Sequence, residues 1–153
     1  MECTCSCGAT SFQTLGEPLL RFYCHCTICQ RFYDAPFGDI LIYRAEDVAL
    51  PPPGNVIFDT YRPPPNVQRG KCATCGQPAV TVFAARCLPR LVTVPRPMFG
   101  SDAVLPSPMG HGFYDTRVSD AKDSLPKYEG YFRNLFIFLK HVWLARRAQT
   151  GRQ

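Results

Sequence analysis

The chain has 153 residues, 46% of them hydrophobic and 19% charged, with a formal net charge of +5. This length allows one globular domain with a core of its own, because a chain of this size buries about 70% of its unfolded surface, and the composition excludes intrinsic disorder. Much of the positive excess lies at the C-terminus, in Lys140, Arg146, Arg147 and Arg152, so it reads as a solvated tail and no nucleic-acid partner is expected.

The N-terminal run "MECTCSCGATSF" has neither the basic nor the apolar region of a secretory signal, so a cytoplasmic protein is expected. Fifteen prolines and eleven glycines spread along the chain point to short elements joined by tight turns, a mainly β architecture. "TSFQTL" (10–15) and "PLLRFYC" (18–24) read as a first hairpin, and "PFGDILIY" (36–43) as the next strand. "AEDVAL" (45–50) reads as one helical turn closed by "PPPG", and "NVIFDTY" (55–61) as a strand closed by a second triple proline. "AVTVFAAR" (79–86) and "RLVTVPR" (90–96), both rich in β-branched residues, form the strand pair expected to build the core sheet. Residues 97–110 read as a loop lying over a pocket, and "HGFYDTRV" (111–118) as the final strand.

From Asn134 the period changes. Leu135, Leu139 and Val142, with Phe136 and Trp143, recur at helical spacing before a basic last turn. A helix here packs its apolar face on the sheet or on a second subunit, the latter giving a homodimer. The apolar run at 135–145 is shorter than the about 20 residues a bilayer span needs, so no membrane partner is expected. The expected organisation is one domain over 1–133 with a helical basic tail at 134–153 packed on it.

Nine cysteines exclude a complete disulfide framework, and their spacing points to metal. Cys5 and Cys7 form C-x-C, Cys24, Cys26 and Cys29 form C-x-C-x-x-C, and Cys72 and Cys75 form C-x-x-C before Gly76. Alternate residues of an extended strand face one way, so C-x-C presents two thiolates together. A C-x-x-C-G turn aims two sulfurs inward while the glycine takes a positive φ. Pairing Cys5 and Cys7 with Cys72 and Cys75 closes a four-thiolate structural site. Cys24, Cys26 and Cys29 make an incomplete shell that leaves room for substrate, unless Cys3 or Cys87 closes it. Cys87 also reads simply as a small buried hydrophobe. His25, between two cysteines, should point away from them and lie at the surface or behind the ligands.

The blocks "CSCGATSF" (5–12), "CHCTICQRF" (24–32) with "APFG" after it, "CATCG" (72–76) and "GHGFYDTRVSDAKDSLPKYEG" (110–130) resemble, in that order, those of the glutathione-dependent formaldehyde-activating enzyme and centromere protein V family. The resemblance implies a β-tent fold of small antiparallel sheets around zinc, with two zinc ions per chain. It implies a structural zinc on Cys5, Cys7, Cys72 and Cys75 and a catalytic-type zinc on Cys24, Cys26 and Cys29. The implied activity is that of a carbon–sulfur lyase acting on a thiol adduct such as S-hydroxymethylglutathione. Two features depart from the family pattern: Asp34 stands where glycine is usual, and "YFRNLFIFLKHVWLARR" replaces a glycine-rich end. They admit a related zinc enzyme acting on a biosynthetic intermediate other than a glutathione adduct. His111, with Tyr114 and Asp115 beside it, is the candidate proton carrier. A non-catalytic zinc-stabilised binding module is the remaining reading, and it requires the second cluster to be closed.

Overall fold

A computed structural model describes residues 1–64, 66–86 and 89–150, the side chains of 145, 146 and 148–150 apart. Cys87 and the last basic residue, Arg152, lie outside the described residues. Among the described residues, eleven strands in two sheets and two α-helices make the chain mainly β with a C-terminal helix, as expected. No described helix is long and apolar enough to cross a membrane.

By its contacts the chain divides into two compact units. The first comprises Met1–Pro18 and Ile40–Leu105. Here β1 (Glu2–Thr4), β2 (Ser11–Thr14) and β5 (Val48–Ala49) form an antiparallel three-stranded sheet. Strands β4 (Gly38–Arg44), β6 (Val56–Asp59), β7 (Val67–Cys72), β8 (Pro78–Phe83) and β9 (Leu91–Pro95) pair antiparallel in the order β4-β9-β8-β7-β6. The expected pair β8–β9 forms, with Thr81 opposite Thr93 and Val82 opposite Val92. Phe12, Leu41, Tyr43, Val80, Val92 and Val94 fill the core, each such side chain contributing about 1.5–3 kcal/mol on burial. Met98 and Phe99 join that core, so the start of the expected cover loop is packed interior.

Strand β7 carries no apolar alternation, which is why its sequence "VQRGKC" gives no strand signal. Its Gly70 is required by close packing. A Cβ there would collide with Val56 and sit 2.8 Å from Phe58 and 3.0 Å from the Val80 carbonyl.

The second unit comprises Leu19–Asp39 and the chain from Pro106 onward. Short strand β10 (His111–Gly112) pairs in parallel with β3 (Leu20–Cys24) on one side and β11 (Lys127–Tyr128) on the other. The antiparallel expectation therefore describes the first unit and not these three strands. The expected hairpin of 10–15 with 18–24 does not form: β2 pairs with β1 and β5, while β3 pairs with β10. The intervening Pro18 cannot donate to a ladder. The amide of Leu15, just past the end of β2, donates instead to Asp47 O at 2.8 Å.

The expected strand 111–118 stops after two residues, because Phe113 turns into the left-handed region at φ 52 and a 3-10 turn follows at Tyr114–Thr116. Gly112 is held against Phe22, with no room for a Cβ. Helix α1 (Thr27–Tyr33) follows β3 directly, and helix α2 (Tyr131–Thr150) ends the described chain. Of the described α2 side chains only Asn134 and Val142 are buried within the chain.

Candidate functional site

In the first unit Cys5 and Cys7 lie in the turn after β1 rather than in a strand, where the Gly8 amide donates to Cys5 O at 2.8 Å. Cys72 closes β7, and Cys75 sits in the turn beyond it. Gly76 turns that corner at φ +71 and donates to Cys72 O at 2.9 Å, the positive φ expected of C-x-x-C-G. The four sulfurs converge, with all ligand atoms within 4.8 Å of one another. Cys5 Sγ lies 3.0 Å from Cys7 Sγ and 3.3 Å from Cys75 Sγ, and Cys7 Sγ lies 3.7 Å from Cys72 Sγ.

A tetrahedral zinc–thiolate site with bonds near 2.3 Å needs sulfurs roughly 3.8 Å apart, so the spacing suits that ion after small adjustments. Electrostatics point the same way. Burial opposes ionisation of Cys72, yet the Thr10 hydroxyl, the amides of Cys75 and Thr74 and the Cys5 thiol outweigh it, and its pKa falls to about 6. Cys7, facing Cys5, is pushed up to about 12. Four thiolates so close repel one another unless a cation lies among them.

In the second unit the C-x-C-x-x-C run is a strand end, a helix cap and a first helical turn. Cys24 ends β3 and is buried. Cys26 is the N-cap of α1 in extended conformation, its sulfur accepting the Cys29 amide at 3.4 Å as a Ser or Asp oxygen does in the usual cap. Cys29, one turn on, returns its side chain to the same side. The three sulfurs lie within 4.8 Å of one another, Cys24 and Cys26 at 3.5 Å.

The Cys24 thiol is raised well above its ordinary pKa, first by Cys26, then by Cys29 and by burial. A cation would reverse that bias, and an all-sulfur donor set is consistent with zinc. Among the described residues no fourth sulfur, imidazole or carboxylate joins the trio. Cys3 is fully buried in the core of the first unit and belongs to neither group, and Cys87 lies outside the described residues. None of the eight described cysteines is disulfide-bonded.

His25 is 3% exposed, so of the two expected placements it takes the one behind the ligands and not the surface. Its amide donates to Gly112 O at 2.9 Å, and its carbonyl accepts from Gln30 Nε2 at 2.6 Å and from Thr116 Oγ1 at 2.9 Å. The residue between two sulfur donors is thus fixed at both backbone ends. The ring lies against Phe37 and meets Tyr114 edge-on.

His25 Nε2 is 2.8 Å from His111 Nδ1, and His111 Nε2 is 3.0 Å from the Asp123 carboxylate. A carboxylate only accepts, so His111 Nε2 donates to it, and a single proton lies between His111 Nδ1 and His25 Nε2. His25 Nδ1 is buried with no hydrogen-bond partner among the described residues. Burial, then His111 and Arg117, lower the His25 pKa to about 4, so the ring is neutral at neutral pH.

The two ring nitrogens of His111 thus face two side chains, those of His25 and Asp123. Its neighbours Tyr114 and Asp115 have other duties: Tyr114 O–H contacts Asp120, and the Asp115 carboxylate accepts the Gly130 amide. Asp123 is the residue that sequence reasoning missed. It lies 12 positions from His111 in a segment without strand or helix period, and only the fold brings the two together.

Asp34 caps α1 in the left-handed conformation at φ 49, donating its amide to Gln30 O. Glycine adopts that conformation at least cost, and Asp tolerates it. Asp34 also lines an open cavity of about 450 Å³ with Gln30, Arg31, Ala35, Pro36 and Val118.

The sequence pattern of the family described as glutathione-dependent formaldehyde-activating enzyme matches residues 1–114. Among solved structures, a crystal structure of a Rhodobacter sphaeroides protein is similar at 20% identity and a TM-score of 0.54, covering 67% of this chain and 91% of that one. That likeness speaks for the fold alone. No curated protein matches the chain.

Proposed function

Because the chain belongs to the glutathione-dependent formaldehyde-activating enzyme family, we propose that it is a zinc-dependent enzyme of the carbon–sulfur lyase type, acting on a thiol adduct such as S-hydroxymethylglutathione. Membership supports a formaldehyde-activating, glutathione-related function in general terms. The observation that carries the finer reading is the trio of Cys24, Cys26 and Cys29, three converging sulfurs that no fourth donor joins among the described residues. Zinc bound there would supply a Lewis acid that keeps a substrate thiol ionised or polarises a carbonyl oxygen.

In the addition direction the substrate sulfur forms a bond to the carbonyl carbon, the carbonyl π pair moves to oxygen, and oxygen takes up the proton that the thiol gave up. Cleavage is the reverse. Either direction needs a proton moved near neutral pH. His111 is 2% exposed and both its ring nitrogens are engaged, so its part is to hold His25. The Asp123–His111–His25 chain fixes the His25 tautomer and keeps the turn between Cys24 and Cys26 in place. The four-cysteine group, by contrast, serves stability.

The test is direct: metal-loaded protein is mixed with glutathione and formaldehyde, and formation of the adduct is followed by proton NMR. A rate no faster than the uncatalysed one would remove glutathione as substrate. The Asp34 cap and the cavity beside it favour a second reading, in which another small thiol or carbonyl compound replaces the glutathione adduct. A ligand screen by melting temperature separates the two, since a specific ligand raises the midpoint with its concentration.

Asp123→Asn probes the histidine chain. Replacing an acceptor by an amide that can also donate destabilises the His111 tautomer, and kcat should fall about tenfold with two metal ions still bound. Unchanged kcat would remove Asp123 from the account.

A further inference from the structure

Helix α2 holds Arg133, Lys140, Arg146 and Arg147 and no acidic residue. Its orientation is set at its start by a polar anchor. Asn134, 3% exposed, donates to Tyr128 O at 3.1 Å and Gly130 O at 2.7 Å and accepts the Phe113 amide at 2.9 Å. Buried Asn134 and Val142 mark the inner face.

The outer face carries two stripes. Phe132, Phe136 and Trp143 fall within about 40° of one another around the axis, and Arg133, Lys140 and Arg147 fall within the adjoining 40° or so. Phe132 is 83% exposed, Phe136 67% and Trp143 52%. At the seam the Arg147 guanidinium lies 3.8 Å over the Trp143 ring.

Aromatic side chains held outward beside a row of cations, on a helix that carries no acidic residue, fit one surface chemistry best. We infer that α2 lies on anionic phospholipid membranes, with the aromatic stripe in the interfacial layer and the basic stripe at the headgroups. Such a helix rests on a bilayer and does not cross it, in keeping with its charge and modest hydropathy. A nucleic acid would satisfy the cations and leave Phe132 and Phe136 in water. A second copy would cover the aromatics but bring another row of cations against the first, with no carboxylate on either helix to answer it.

Trp143 is the one tryptophan of the chain, so its emission reports this face alone. Full-length protein is titrated with vesicles of phosphatidylcholine holding about one third phosphatidylglycerol, and with pure phosphatidylcholine vesicles. A blue shift and co-flotation with the anionic vesicles only, weakened by salt, is the expected result. Each near-surface cation contributes about fivefold to partitioning, so Arg133→Gln with Lys140→Gln should weaken it roughly 25-fold. Phe132→Ser with Phe136→Ser, both at exposed positions, should remove the blue shift while metal content is kept.

Absence of any shift, or equal binding to both vesicle types, overturns the inference. So does a blue shift without lipid that follows protein concentration alongside dimer sedimentation, which would assign the face to a second copy.

Discussion

Cys26→Ser should reduce the metal bound per chain from about two ions to about one, and the rate of carbon–sulfur bond formation on the order of a thousandfold, while the protein stays folded. Serine is the informative replacement. Cys26 is at once a member of the trio and the N-cap of α1, where its sulfur accepts the Cys29 amide. Serine is among the best capping residues, so the helix start survives and the loss reports the metal site. A thousandfold corresponds to about 4 kcal/mol of transition-state stabilisation, within the several kcal/mol that a Lewis-acid centre supplies. Metal analysis with steady-state rates on the same sample checks the result. A variant that kept both ions and full rate would show that the trio does not form the reactive centre.

Cys72→Ser should act in the opposite sense, on stability first. Cys72 ends β7, is 2% exposed and belongs to the core of the first unit. Its group draws together the turn after β1 and the turn after β7, segments about 65 residues apart in sequence. Structural zinc sites contribute up to about 10–16 kcal/mol in small domains, which rivals the whole stability of an ordinary domain. Even a third of that lowers the melting midpoint by more than about 10 °C in a chain of this length. Circular dichroism melts of Cys72→Ser and Cys26→Ser side by side make the comparison. Equal midpoints would erase the division of labour between the two groups.

The cysteine spacing carried most of the site. C-x-C and C-x-x-C-G state their geometry locally, and the Gly76 turn has the φ that its sequence implies. The backbone around Cys5 and Cys7 was less legible, because a turn as well as a strand brings alternate sulfurs together. The β8–β9 pair was visible through its β-branched runs, whereas β7 was hidden by Gly70, a residue chosen for close approach of Val56 and Phe58 rather than for strand preference. The strand expected over 111–118 ends early because Phe113, apolar and in register, takes a left-handed conformation that no period records.

Contacts made only by folding lay beyond the sequence. The His25–His111 bond spans 86 positions, and nothing near either histidine announces the other. Helical spacing groups Phe136 and Trp143 with Leu135, Leu139 and Val142, but spacing alone does not say which side meets the protein. Asn134, a polar residue amid apolar ones, turns out to mark the inner side.

The central claim is that sulfur holds two metal ions unequally, four donors at one and three at the other. Zinc K-edge X-ray absorption on protein purified under reducing conditions tests it most directly. With both sites filled the average should be about 3.5 sulfurs per zinc, rising to about four in Cys26→Ser, which retains only the sealed site. Four sulfurs around every ion in the unaltered protein, or cysteines found oxidised and metal-free, would contradict it.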